Sequence, residues 1–281
     1  MIDLHTHTNF SDGTDSPTQL INKALAAGIS VLGLTDHDSI SGWQEAITAL
    51  RPGISLVPGS EISCQTSDGI SVHILGLLFD SENLELMGTM QATRENRHGR
   101  MAKIITRLNE AGIDISMQDV LDQLAEGATL GRPHLADALV RNGVISSRDE
   151  AFQELLHNES RFYVTHAAPT PVEAIRAIRS AGGVAVIAHA FASHRGKILV
   201  SDDFQELCKA GLNGIEVDHR DHSPAEREML RAIAIEKNLV ITGSSDYHGT
   251  GKLNSLAENH THREQWEKLE SQANARRVVS A

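Results

Sequence analysis

The chain has 281 residues, 40% of them hydrophobic, which suits one large domain with a sizeable core or one domain with an insertion. Its formal net charge of -12 disfavours non-specific binding of nucleic acids or anionic membranes through the overall electrostatic field. The sequence has no apolar run long enough to cross a membrane and no signal-peptide pattern, and Cys64 and Cys208 lack a metal-binding spacing, so we expect a cytoplasmic protein.

Helix starts and apolar strands alternate along much of the chain. Three helices are predicted where a hydroxyl-bearing residue precedes proline and Gln or Glu stands at the third helical position: Ser16-Pro17-Thr18-Gln19, Thr170-Pro171-Val172-Glu173 and Ser223-Pro224-Ala225-Glu226. Strands are predicted over residues 31–35, 184–188, 214–217 and 239–242, each after a Gly or Asn stop. They are apolar throughout, which is typical of parallel strands buried on both faces. The pattern predicts an α/β barrel.

Side chains that can bind metal stand at the carboxyl ends of the predicted strands. They are His5, His7, Asp36, His37, His189, Glu216, Asp246 and His248. Because the carboxyl ends of parallel barrel strands form the catalytic face, we expect these side chains to converge. Fifteen histidines against ten Phe, Trp and Tyr residues also favour metal binding, since histidine is the commonest metal ligand.

Residues 55–79 contain two more apolar strands around the turn sequence Gln65-Thr66-Ser67-Asp68-Gly69. A turn centred near Ser67 would set Glu61 roughly opposite His73, so that one hairpin could supply two ligands. A turn centred on Asp68-Gly69 would shift this register.

The pattern changes between residues 81 and 166, where apolar residues recur at helical spacing. We interpret this segment as an all-helical insertion that caps the substrate, in a barrel domain built from residues 1–80 and 167–258. Residues 259–281 form a peripheral tail with a helix near 263–273.

The predicted insertion carries cationic residues that could bind phosphate. Pro133 suits the first turn of a helix, which places Arg132 and His134 at a helix N-terminus that favours anions. Arg94, Arg97 and Arg100 recur at a spacing of three, with Arg97 and Arg100 favoured as phosphate ligands. A solvated helix face is the alternative for these arginines.

Short motifs surround the predicted metal ligands in residues 1–79 and 170–249. They are Asp3-Leu4-His5-Thr6-His7, Ser11-Asp12-Gly13, Thr35-Asp36-His37-Asp38, Gly59-Ser60-Glu61-Ile62, His73-Ile74-Leu75-Gly76, Ala188-His189 and Ser245-Asp246-Tyr247-His248-Gly249. This set resembles the polymerase and histidinol phosphatase (PHP) superfamily of metal-dependent phosphoesterases. The resemblance implies a distorted (βα)7 TIM-like barrel, here with the helical insertion.

The resemblance also implies two or three divalent metal ions, for which Mn, Fe and Zn are about equally suitable on these nitrogen and oxygen ligands. The implied ligand sets are His5, His7, Glu61 and Asp246; Glu61, His73 and His189; and Asp12, His37 and His248. Glu61 would bridge two metals.

The size of the chain and Gly131-Arg132-Pro133-His134 resemble the branch of this superfamily that acts on nucleotides and short RNA 5′ ends. We therefore predict hydrolysis of small nucleotides, such as AMP or a nucleoside 3′,5′-bisphosphate, by metal-activated water. A 5′-to-3′ exoribonuclease for short 5′-phosphorylated RNA is the alternative, and duplex DNA is not an expected partner.

Each candidate site residue has an expected role. Glu61 and Asp246 would act in catalysis as metal ligands. His222 could protonate a leaving group or bind phosphate, and a residue of the helix-cap region without a catalytic role is the alternative. Phosphate oxygens would be bound by Arg97, Arg100, Arg132 and His134. Asp3 and Asp36 would orient His5 and His37 through the ring nitrogens that do not bind metal.

Two rival functions are open. An amidohydrolase also uses His-x-His on a barrel, but it typically has a single late catalytic Asp, whereas here His248 accompanies Asp246. The other rival is a non-catalytic metal-binding module, whose structural site would normally be closed by four protein ligands.

Overall fold

Strands and helices alternate along the computed structural model, which describes residues 1–165, 167–193 and 196–281. His166, at the predicted end of the insertion, and His194 and Arg195 lie outside the described residues. The strands are β1 Ile2–Asp3, β2 Val31–Leu34, β3 Ser55–Gln65, β4 Ser71–Leu77, β5 Val184–Ala188, β6 Gly214–Asp218, β7 Val240–Gly243 and β8 Val279–Ser280. The helices are α1 Pro17–Ala26, α2 Trp43–Ala49, α3 Leu84–Glu110, α4 Met117–Leu121, α5 Arg132–Arg141, α6 Arg148–Glu154, α7 Pro171–Ser180, α8 Asp203–Ala210, α9 Pro224–Glu236 and α10 Arg263–Glu270.

Strands β1 to β7 form one sheet in chain order. Neighbouring strands pair in parallel, except that β4 runs antiparallel to both β3 and β5. An isolated parallel bridge between Thr6 and Tyr247 joins the segments that follow β1 and β7. The sheet is therefore nearly closed, and the predicted distorted (βα)7-type barrel is confirmed.

The three predicted capping sequences begin α1, α7 and α9. The side chains of Ser16, Thr170 and Ser223 each accept a hydrogen bond from the backbone N–H three residues later. The side chain of that third residue accepts in return from the N–H of the cap, which completes a capping box. Local sequence thus fixes where these helices begin.

Successive strand residues pack into two apolar clusters. Ile74 belongs to a cluster shared with the outer helices, whereas the neighbouring Leu75 belongs to another cluster that includes Leu4. Because side chains alternate across a strand, the second cluster lies inside the barrel. Trp266 and Leu269 of α10 join this inner cluster, and β8 pairs antiparallel with β3. The tail therefore packs on the barrel.

Helices α3 to α6 lie in the segment predicted to be helical, and no strand occurs among its described residues 81–165. The 27-residue α3 buries Leu86 and Met90 in the barrel cluster and Ile104 and Leu108 in a separate cluster of the insertion. One helix thus connects the two cores. Within the described ranges, no helix combines the length and apolar character that crossing a bilayer requires.

The register of the β3–β4 hairpin differs from the one in which Glu61 faces His73. Glu61 pairs with Leu75, and His73 pairs with Ser63, because the turn is centred on Asp68. Gly69 supplies the left-handed backbone that this turn needs, at φ +87°. The shift moves the pairing by two residues, so Glu61 and His73 still lie on one face as diagonal neighbours.

Gly33 of β2 allows the segment bearing His5 and His7 to lie close to the neighbouring strand. A Cβ at Gly33 would lie 2.3 Å from the carbonyl oxygen of Leu4. Gly33→Ala should lower the free energy of unfolding by about 1–3 kcal/mol or more, as overpacking does, and should weaken metal binding. Urea unfolding and metal titration measure the two effects.

Gly88→Ala in α3 is the matched control, because a Cβ there would meet no atom within 4 Å. It should raise stability by up to about 1 kcal/mol through helix propensity. Equal stability changes in the two variants would contradict the close approach at Gly33.

Candidate metal centre

The carboxylate of Glu61 lies among five imidazole rings. Its Oε2 atom is 3.3 Å from His5 Nε2, 3.1 Å from His7 Nε2 and 3.1 Å from His37 Nδ1, and its Oε1 atom is 2.8 Å from His73 Nδ1 and 3.0 Å from His189 Nε2. These rings follow β1, β2 and β5 or lie in β4. Because β4 runs in the reverse direction, its early residue His73 reaches the same end of the barrel as the carboxyl ends of its neighbours.

The remaining predicted ligands adjoin this group. Asp246 Oδ1 lies 3.4 Å from the Nε2 atoms of both His5 and His7. Asp12 lies 3.1 Å from His248 Nε2 and 3.8 Å from His37 Nε2. Among the residues that the structure describes, three groups have donor atoms within 4.8 Å of one another: His7, Asp12, His37 and His248; His5, His7 and Glu61; and His37, Glu61 and His73. All nine residues predicted to bind metal thus meet at one place.

Hydrogen bonds leave ring nitrogens available for metal. His5 Nδ1 donates to Glu216 Oε1 at 3.1 Å, which turns its Nε2 toward Glu61 and Asp246. His248 Nδ1 contacts the carbonyl oxygen of Asp246 at 2.8 Å, so its Nε2 carries the lone pair. That atom is buried and has no hydrogen-bond partner in the described part of the chain, and the same is true of Asp12 Oδ1 and His37 Nδ1. Divalent cations would satisfy these atoms, so the residues fit such ions.

The charges of several groups suit a cation. Burial raises the pKa of Asp12 and of Glu61, but the surrounding histidines outweigh it and hold both values well below the usual range. Burial lowers the pKa of His37 well below its usual value and that of His248 to about 4. At neutral pH Asp12 and Glu61 are therefore ionised, and His37 and His248 are neutral imidazoles. For His5, burial lowers the pKa, but Glu61 and Glu216 prevail and raise it well above its usual value. For His7, burial lowers the pKa, but Asp246 and Glu61 prevail and raise it to about 9.

Two predicted ligands have an unusual backbone. His189 has φ +31° and Asp246 has φ +53°, in the left-handed region that residues other than glycine seldom adopt. Such conformations cost on the order of 1–3 kcal/mol each and concentrate at functional sites.

The roles predicted for Asp3 and Asp36 are wrong, since neither carboxylate contacts a ring nitrogen of a histidine that the structure describes. Asp3 accepts hydrogen bonds from the backbone N–H groups of Ser245 and Ala257. Asp36 accepts from Thr8 and Ser11. Both carboxylates hold ligand-bearing segments in place through backbone or hydroxyl groups.

Glu216 has the orienting contacts that were expected of Asp3. It is fully buried at the end of β6, where Oε1 accepts from His5 Nδ1 at 3.1 Å and Oε2 accepts from the backbone N–H of His189 at 2.8 Å. Burial raises its pKa, but His5 and His219 outweigh this and lower it to about 2. Its position after an apolar strand was the only sequence signal.

His219 is a further residue that the sequence did not single out. It is fully buried, and its Nδ1 accepts from the N–H of Asp221 at 3.0 Å. Its Nε2 lies 3.5 Å from Asp246 Oδ2 and makes no hydrogen bond with any residue that the structure describes. His219 therefore lies beside the predicted ligands.

The contacts of His222 contradict its predicted role as an acid. Its Nδ1 donates to the carbonyl oxygen of Val217 at 2.9 Å, and its Nε2 accepts from the N–H of Phe191 at 3.2 Å. Both ring nitrogens are thus used by the backbone, and the side chain is buried. His222 holds the β5 and β6 loops together instead of facing a substrate.

A cavity of about 660 Å³ opens beside the predicted metal ligands, within the range of roughly 300–1,000 Å³ that is usual for small-molecule sites. Its lining includes Asp12, His37 and His73 from the barrel and Arg97, Arg100 and Arg132 from the insertion. One cavity thus joins predicted metal ligands to predicted phosphate ligands.

Arg100 and Arg132 have no carboxylate partner among the described residues. Arg100 donates to the carbonyl oxygen of Val164, and Arg132 donates to Asn158 Oδ1. The ring of Tyr163 lies near both, 5.2 Å from Arg100 Cζ and 5.5 Å from Arg132 Cζ. Burial, followed by repulsion from Arg132, lowers the pKa of Arg100 to about 9. An anion in the cavity would stabilise both charges.

The other predicted phosphate ligands are less available. Arg97 already pairs with Asp38 at 2.9 Å and donates to Ser63 Oγ at 2.6 Å. His134 is 4% exposed, accepts from the N–H of Gly131 and, in the described part of the chain, does not line the cavity. Arg94 is likewise not among the described residues that line the cavity.

Comparisons with known proteins agree with this geometry. The PHP domain family matches residues 3–143. The chain is 36% identical to a 5′-3′ exoribonuclease of Haemophilus influenzae, over 88% of this chain and 89% of the relative. It is 32% identical to a 3′,5′-nucleoside bisphosphate phosphatase of Chromobacterium violaceum, over 89% and 88%. A solved structure from Bifidobacterium adolescentis, assigned as a metal-dependent phosphoesterase, superposes with a TM-score of 0.93 at 37% identity, covering 97% of this chain and 96% of that one.

Glu216→Gln should weaken metal binding by about 10- to 100-fold, the usual effect of losing a group that orients a ligand. His5 and the His189 backbone N–H both donate to Glu216, so in the glutamine variant one of these donors would face the NH2 group and lose its acceptor. Isothermal titration with Mn²⁺ measures the change. Glu206→Gln, at a side chain that is 66% exposed, is the control and should have no effect. Unchanged affinity in a folded Glu216→Gln protein would refute the orienting role.

Proposed function

The chain belongs to the PHP family and is a metal-dependent phosphoesterase, and we propose that it removes phosphate from small nucleotides such as AMP or a nucleoside 3′,5′-bisphosphate. One observation carries the proposal: a single cavity joins the predicted metal ligands to Arg100 and Arg132, two guanidinium groups without a carboxylate partner among the described residues. A nucleotide could present its phosphoester to the metal ligands and a further anionic or polar group to these arginines.

The proposed metal ligands are the nine clustered residues. His5, His7, Glu61 and Asp246 would hold one ion; Glu61, His73 and His189 a second; and Asp12, His37 and His248 a third. When bound, two or three Mn, Fe or Zn ions would neutralise phosphoryl charge and lower the pKa of bound water from about 16 toward 7. Glu216 would keep His5 and the His189 backbone oriented.

The proposed substrate contacts come from the insertion. Arg100 and Arg132 would bind phosphate oxygens, because each guanidinium matches the geometry of a phosphate and an anion would offset its burial. Arg97 would act through Asp38, by holding α3 beside the loop that carries His37. These contacts fix the orientation of the substrate and do not transfer protons.

A 5′-to-3′ exoribonuclease acting on short 5′-phosphorylated RNA is the second candidate, supported by similarity to the Haemophilus influenzae enzyme over nearly the whole chain. The net charge of -12 disfavours duplex DNA as a partner of either activity. We place the protein in the cytoplasm, with its cysteines Cys64 and Cys208 free.

Phosphate release from a substrate panel tests the proposal. With Mn²⁺ supplied, AMP or a nucleoside 3′,5′-bisphosphate should be hydrolysed faster than histidinol phosphate or a peptide-like amide. The panel includes a short 5′-phosphorylated oligoribonucleotide. Preference for that RNA would favour the exoribonuclease, and hydrolysis of only the amide would contradict both candidates.

Arg132→Ala should lower kcat/KM for the preferred nucleotide by about 10- to 150-fold, the equivalent of the 1.5–3 kcal/mol that a hydrogen bond to a charged group contributes. Metal content, measured by elemental analysis, should not change. Arg263→Ala, at a side chain that is 72% exposed on α10, is the control. Loss of metal in Arg132→Ala, or full activity, would contradict the proposed contact.

A further inference from the structure

Lys252 brings a cation to the metal-ligand end of the cavity. It follows the 3-10 turn Gly249–Gly251, and its Nζ atom lies 2.9 Å from Asp246 Oδ2. The Lys252 side chain is 33% exposed, whereas that of Asp246 is 1% exposed. Lys252 also lines the cavity. Its ammonium group is therefore in contact with a predicted metal ligand and accessible to a molecule in the cavity.

The partner of Lys252 distinguishes it from other cavity cations. Arg148 pairs with Asp137, and Arg220 pairs with Glu258, so each of these guanidinium groups is neutralised by a carboxylate that is not among the nine predicted metal ligands. Lys252 instead shares Asp246 with His5 and His7. A positive charge at this carboxylate adds to the attraction for an anion at the reacting end.

The chemistry of the ammonium group suits a second, simultaneous contact. An ammonium has three N–H donors, and one is enough for Asp246 Oδ2. Its four-carbon stem is flexible, and the compact charge is a common ligand of phosphate. Asp246 can thus hold the nitrogen in place while another donor binds an oxygen of the substrate.

We propose that Lys252 is a substrate-binding residue whose ammonium group, held by Asp246, donates a hydrogen bond to an oxygen of the phosphate that is hydrolysed. This rests on the proposed function for the identity of the substrate, but not for the existence of the anion site. Lys252 stabilises the phosphoryl charge from the barrel, while Arg100 and Arg132 bind the substrate from the insertion. The competing role is simple neutralisation of Asp246 in metal-free protein.

Binding of inorganic phosphate separates these roles. Lys252→Ala, Lys252→Arg and the wild type are loaded with Mn²⁺, their metal content is checked by elemental analysis, and phosphate affinity is measured by isothermal titration. Lys252→Ala should weaken phosphate binding about tenfold or more, as expected for a charge-assisted hydrogen bond, and should retain the metal. Lys252→Arg should recover part of the loss. Lys209→Ala, which removes a 61% exposed lysine paired with Glu206, should match the wild type.

Phosphate affinity within about twofold of the wild type in metal-loaded Lys252→Ala would overturn the proposal, as would loss of metal that accounts for the weaker binding. Melting temperatures with and without Mn²⁺ show whether each variant is folded, and Lys252→Arg supplies the comparison if the alanine variant is not. If the wild type binds phosphate through Lys252 but hydrolyses no nucleotide, the nucleotidase function fails and the assignment of Lys252 stands.

Discussion

The burial of Glu61 among five histidines is the constraint on which the rest of the site depends. An ionised carboxylate in a protein interior is unfavourable by several kcal/mol unless it is paired, and here every nearby partner is an imidazole brought from another segment. Parallel strands deliver most of these rings because their carboxyl ends share one side of the barrel. The reversed β4 adds His73 from the hairpin that it forms with β3.

The supporting contacts extend this arrangement outward. Glu216 joins His5 to the backbone of His189, and Asp3 joins β1 to the loop that begins at Ser245. Asp3 thereby connects the first strand of the barrel to the segment that follows its last strand. Apolar clusters on either side of the strands keep these hydrogen bonds away from water. Each bond is stronger in this interior than it would be at the surface.

The insertion is attached to the ligand-bearing loops and not only to the outer surface of the barrel. Arg97 of α3 pairs with Asp38, next to His37. Arg148 of α6 donates to the carbonyl oxygen of Asp12, itself a predicted ligand, and to that of Gly251, in the turn that follows His248. A movement of the insertion would therefore displace both loops. These contacts connect the surface that we propose to bind substrate with the predicted metal ligands.

The sequence predicted those features that depend on local chemistry. Capping boxes marked the starts of α1, α7 and α9, and polar residues after apolar strands identified the side chains that meet around Glu61. The hairpin register depended on a one-residue difference in the turn centre, which composition could not decide.

The contacts of Asp3, Glu216 and His222 were not predictable, because adjacency in the chain does not say which carboxylate reaches which ring. His219 and Lys252 carry no spacing signal of their own. Their positions depend on how the loops after β6 and β7 fold over Asp246.

A crystal structure of the protein soaked in Mn²⁺, with anomalous scattering recorded at the manganese edge, tests the central claim most directly. The account predicts two or three anomalous peaks in one cluster, with the two oxygens of Glu61 bound to different ions. A single ion closed by four protein ligands and not touching Glu61, or no ion at all, would contradict it.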